Sequence, residues 1–144
     1  MAAKIRVLID INVILDTLQK REPFFAASAR VLAEAEIGKI EGLIAAHGVT
    51  TLFYIISKDR TPEQARVTLS NLLQFLSVAR VDQRTIEQAL AMPWKDFEDA
   101  VQMAAAIQSG AQALVTRNVE DFKGAPIPVL QPAELLSLVL NSPE

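Results

Sequence analysis

Short runs of aliphatic, often β-branched residues alternate along this chain with longer stretches whose apolar positions recur every three or four residues. The first run, residues 5–9, reads IRVLI and stops at Asp10. Such a run predicts a strand apolar on both faces, as in a parallel sheet. A helical segment is predicted from about Ile14. Pro23 is expected to open a second helix with Phe24, Ser28, Val31, Leu32 and Ala35 at helical spacing, and Gly38 to end it. Residues 43–46 predict a second strand and residues 49–58 a further helix.

Thr61-Pro62-Glu63-Gln64 is a strong helix start, with Thr as N-cap, Pro at the first helical position and Gln at the capping-box position. The helix it opens is expected to turn Ala65, Leu69, Leu72, Leu73 and Leu76 inward. Residues 77–81 predict a third strand. Asp82 or Thr85 then caps a short helix that stops near Pro93, and another helix runs from about Asp96 to Ser109 and closes at Gly110. Residues 113–116 and 127–130 predict two last strands, and Pro132 opens a helix through Leu140. Strands alternating with helices imply crossovers between parallel strands. The expectation is one domain over residues 1–144, a three-layer α/β/α fold around a central, mostly parallel five-stranded sheet.

Composition narrows the function classes. With 51% hydrophobic residues, five Gly and seven Pro, the chain can bury a core and is neither disordered nor fibrous. It has no cysteine, which removes disulfides, thiol nucleophiles and cysteine-ligated zinc. No stretch reaches the roughly 18–20 apolar residues that span a bilayer, and the amino terminus lacks the pattern of a secretory signal. A cytoplasmic location is expected. The net charge of −3 argues against binding nucleic acid through a global basic field. Local cations would have to serve, such as Lys20 with Arg21, Lys58 with Arg60, or Arg117.

Open parallel sheets gather functional groups where strands end at their carboxyl side. Three polar clusters fall at such ends: Asp10-Ile11-Asn12, with Asp16 further on; Asp96-Phe97-Glu98-Asp99, at a helix start; and the run from Thr116 to Asp121. Each also has a structural reading, since Asp, Asn and Thr end strands, cap helices and make turns. Their coincidence carries the functional reading. Carboxylates brought together resist ionisation unless a cation neutralises them. Oxygen ligands without Cys or clustered His suit Mg²⁺ or Mn²⁺ better than zinc.

The strand ending in Asp10, the run Glu98-Asp99-Ala100 opening a helix with Ala104-Ala105-Ala106, and Thr116-Arg117-Asn118 followed by Asp121-Phe122 together resemble a PIN domain. The resemblance covers nearly the whole chain. PIN-domain nucleases include the toxin subunits of many prokaryotic toxin–antitoxin pairs. It implies metal-dependent hydrolysis of phosphodiester bonds in single-stranded or structured RNA. It also implies an antitoxin protein and a homodimer as partners. Asp10 and Asp99 match acidic metal ligands, Asp121 completes the set, Asn118 stands where Asp is common, and Thr116 orients a carboxylate or a bound water. Two departures stand out: Asn118 is neutral, and residues 48–54 lack the glutamate usual after the second strand. Both imply weaker cation binding and the loss of a second ion, with Asp16, Asp96 and Glu98 as compensating acids. The alternative is an impaired PIN fold that binds RNA or protein.

Further residues carry weaker signals. His47, the single histidine, is expected as a loop residue bonded to backbone rather than as a general base. Trp94 and Phe97 are read as packing residues before base-stacking ones. Phe24, Phe25 and Val31 are candidates for a dimer face. The glycines form no phosphate-cradling loop. An aspartyl-phosphate mechanism is disfavoured because the second residue after Asp10 is Asn12.

Overall fold

The computed structural model describes residues 4–140; residues 1–3 and 141–144 of the expected 1–144 domain lie outside it. Five strands, β1 (Ile5–Ile9), β2 (Ile40–Ala45), β3 (Leu76–Ala79), β4 (Ala113–Val115) and β5 (Val129–Leu130), form one sheet. Their order is β3-β2-β1-β4-β5, and every neighbouring pair is parallel. The chain moves outward from β1 through β2 to β3, then returns to the other side of β1 for β4 and β5. The strand order therefore reverses between β1 and β4, which opens a crevice at their carboxyl ends.

Residue alternation on the central strand sorts the helices. Val7 and Ile9 face a core shared with α1 (Ile11–Leu18), α2 (Phe25–Glu36), α3 (Ala46–Asp59), α4 (Pro62–Leu72) and α7 (Pro132–Leu140). Leu8 faces the opposite way, against Leu43, Leu114 and α6 (Phe97–Gln108). Helix α6 is buried without a break from Ala100 to Ala106. Met103, Ala105 and Ala106 pack on the sheet, while Ala100, Val101 and Ala104 meet Ala89 of α5 (Gln83–Leu90). The alanines let the sheet, α6 and α5 approach closely, which holds the amino-terminal turn of α6 beside the end of β1.

Most expected elements are present, with shifted edges. The second strand begins three residues earlier than expected, at Ile40, because Gly42 lies between Leu76 and Ile9 and allows the strands to close up. Pro23 does not open α2; it follows a cis peptide in the turn before Phe25. Leu76 belongs to β3 rather than to the face of α4, and Leu73 is exposed. Val31 is fully buried in the core, so it is not available to the expected dimer face. The caps behave as the sequence implies: Thr61 with Gln64, and Asp82 with Thr85, each form a reciprocal capping box.

Candidate active site

Asp10 ends β1 and caps α1, its side chain accepting from the Asn12 backbone N–H at 3.3 Å. This double duty keeps the carboxylate at the crevice rather than letting it point into solvent. It is nearly buried, and its other oxygen accepts from Thr116 Oγ1 at 2.9 Å and from Asn12 Nδ2 at 3.2 Å. Thr116 is fully buried one residue beyond β4. Its hydroxyl gives its proton to Asp10 and accepts the Asn118 backbone N–H at 3.1 Å. Of the two roles expected for Thr116, orienting a carboxylate is thus the one the geometry supports.

Burial pushes the Asp10 carboxyl above the usual carboxylate range, against the opposing hydrogen bonds from Thr116, Asn12 and Gln102. Gln102 escaped the sequence reading. It lies one turn after Asp99 on α6 and is itself buried, so a helical repeat counted from Asp99 would have found it.

Asp99 sits in the first turn of α6, where Asp96 caps the helix by accepting the Asp99 backbone N–H at 3.2 Å. Its carboxyl is pushed up to about 7, first by burial and then by the negative charges of Asp96, Asp10, Asp121 and Glu98. Acids from three distant parts of the sequence therefore share one electrostatic neighbourhood. Asp121 lies on an exposed one-turn 3₁₀ segment, Val119–Phe122, that Phe122 anchors into the core. Asn118 is exposed just before it.

Two expectations need correction. Asp16 does not join the acidic crevice. It is completely buried and pairs with Arg117 Nε at 2.7 Å, with Arg21 Nη1 a further 3.7 Å contact. Arg117 also lies 4.6 Å over the Phe24 ring, so it fastens the loop after β4 to α1 and α2 rather than reaching for nucleic acid. His47 is not a loop residue bonded to backbone. It stands in the first turn of α3, and its Nδ1 is buried without a hydrogen-bond partner. Burial lowers its pKa, while Glu98 and Asp10 pull the other way. Gly48 permits this placement, since a Cβ there would lie 2.8 Å from Ile11 Cγ2. Thr50 turns its hydroxyl to the His47 carbonyl at 3.0 Å.

The donor set suits a hard divalent cation: carboxylate oxygens, an Asn12 Oδ1 that is buried without a partner, and an Asp99 whose proton a cation would displace. Among the described residues, no three acidic or histidine side chains already form a closed cage. The acids line an open cleft. Beside it lies a hollow of about 360 Å³ between Trp94, Asp99 and Asp121. Trp94 meets Phe122 edge-on, ring centres 5.8 Å apart, in keeping with its expected packing role. Phe97 is 45% exposed, so it does not pack in the core of this chain.

The sequence profile of the PIN domain matches residues 6–120. No curated protein matches the chain. Solved structures resemble it in fold. A toxin–antitoxin complex from Klebsiella pneumoniae aligns with a TM-score of 0.68 at 23% identity, covering 88% of this chain and 97% of that one. DNA-bound VapBC from Salmonella typhimurium aligns at 0.65 and 18%, covering 89% and 98%. The Mycobacterium tuberculosis toxin VapC20, described as cleaving the sarcin–ricin loop, aligns at 0.59 and 16%, covering 75% and 86%.

Proposed function

This chain belongs to the PIN-domain family, whose members are typically nucleases, and from that premise we propose that it is a metal-dependent endoribonuclease, the toxin of a toxin–antitoxin pair. One observation carries the reading: at the sheet's reversal point Asp99 is pushed up to about 7, first by burial and then by the convergent charges of Asp96, Asp10, Asp121 and Glu98. A structural acid at a helix start gains nothing from such crowding. A cation-binding acid does, because the repulsion that resists ionisation becomes affinity for Mg²⁺ or Mn²⁺.

Asp10, Asp99 and Asp121 would hold the ion. Once bound, the ion supplies a water of lowered pKa and neutralises charge on the scissile phosphate. The chain's own residues set the stage. Thr116, Asn12 and Gln102 fix the Asp10 carboxylate in place. Asn118 supplies a neutral oxygen at the rim. Attack by water on phosphorus would break the bond to the leaving ribose oxygen, and the proton that the water loses would pass by way of a carboxylate of the cluster to that oxygen.

Because structural relatives are toxin–antitoxin complexes, an antitoxin protein is the proposed partner, and an RNA target agrees with a cytoplasmic setting. The absence of an acid from residues 48–54, with His47 at the cleft instead, favours a second reading in which the fold binds RNA without cutting it. Incubation with tRNAs and single-stranded RNAs in Mg²⁺, Mn²⁺ or EDTA separates the two. Metal-dependent cleavage that disappears in Asp10→Ala and Asp99→Ala supports the nuclease; RNA retention without cleavage by folded wild type supports the binding module.

A further inference from the structure

The hollow next to the carboxylates has walls of three kinds. Asp99 and Asp121 form the side nearest the cleft. Trp94 forms an aromatic wall, half-buried and braced edge-on by Phe122. Lys95 and Lys123 bring positive charge to the same hollow. Lys123 is paired only loosely with Glu120, at 3.5 Å between groups each 85% exposed. An exposed pair of that kind contributes little and yields readily to a stronger anion.

An aromatic ring beside two exposed lysines suits one unpaired nucleotide, with the base against the ring and the phosphate drawn to the ammonium groups. We infer that this hollow is a nucleotide subsite, which holds the residue flanking the phosphate to be cut. The inference rests on the nuclease reading and extends it from chemistry to substrate placement. Charge sets an order of binding. Four acids line the hollow against two lysines, so a phosphate meets net negative charge until a divalent cation occupies the cleft. Metal and RNA must then strengthen each other's binding reciprocally.

Trp94 is the only tryptophan in the chain, so its fluorescence reports on the hollow directly. The test titrates a phosphorothioate RNA tetranucleotide, which resists hydrolysis, into the full-length protein with Mg²⁺ or with EDTA. Saturable quenching in Mg²⁺ is expected, at least tenfold weaker in EDTA and in a Lys95→Glu/Lys123→Glu variant. The variant should keep the Mg²⁺-induced rise in melting temperature, because neither lysine is placed among the metal ligands. Unchanged affinity in the variant, or no quenching by an RNA that the wild type cleaves, would overturn the subsite and leave the nuclease standing. Loss of both cleavage and the Mg²⁺-induced thermal shift in the wild type would remove the nuclease reading and the subsite with it.

Discussion

At the scale of single residues, Asp99 governs how the protein answers to pH. Its folded pKa of about 7 lies above the ordinary aspartate value of 3.8. The folded state therefore holds a proton that the unfolded chain has already released, and stability drops as pH rises from near 4 through 7. Asp10 is raised too and acts in the same direction. In EDTA the melting temperature should fall across this window. Asp99→Asn should recover about 1–2 kcal/mol above pH 7, a figure reduced for the solvent that reaches this half-buried group. Divalent cations should reverse the trend, with affinity climbing over roughly pH 6–8 as the proton is displaced. A melting temperature that rises with pH in EDTA would contradict this assignment. Thr116→Val tests the support beneath Asp10: it preserves shape but removes the hydroxyl that donates at 2.9 Å. Activity should fall about 10- to 100-fold, read as initial cleavage rate, with the fold intact by circular dichroism.

At the scale of elements, the crevice depends on two fastenings. The Arg117–Asp16 pair ties the loop that carries Thr116 and Asn118 to α1. Arg117→Ala would leave a fully buried carboxylate with only the Arg21 contact at 3.7 Å and should cost about 3 kcal/mol, measured by urea denaturation; an effect under about 0.5 kcal/mol would mean that Arg21 takes over the pairing. Gly48→Ala would press a methyl onto Ile11 at the start of α3 and should cost about 1–3 kcal/mol while displacing His47. The sequence revealed these elements unevenly. Strands such as residues 5–9 were plain because a fully apolar, β-branched run has few other homes. Asp10 and Asp99 were legible because each follows or opens an element at the end where a parallel sheet collects its chemistry. Asp16 was misread because its partner lies 101 positions away, and no local pattern announces such a pairing. His47 was misread because helix α3 begins at Ala46, three residues before the apolar repeat becomes visible.

At the scale of the whole molecule, the parallel sheet brings acids from residues 10, 99 and 121 into one field, although they span most of the chain. No helix among the described residues is long and apolar enough to cross a membrane. The amino-terminal dimer patch survives only as Phe24 and Phe25, with Phe24 partly covered by Arg117. A homodimer built there should show twice the 15.8 kDa chain mass by light scattering and revert to monomer in Phe24→Glu; a monomeric wild type at micromolar concentration would remove that interface. The central claim, that the crowded carboxylates form a cation site, is tested most directly by calorimetric titration of Mn²⁺ into the metal-free protein at pH 7.5. The account predicts saturable binding with proton release that is lost in Asp10→Asn and Asp99→Asn. Heat no greater than buffer dilution, from a folded wild type, would contradict it.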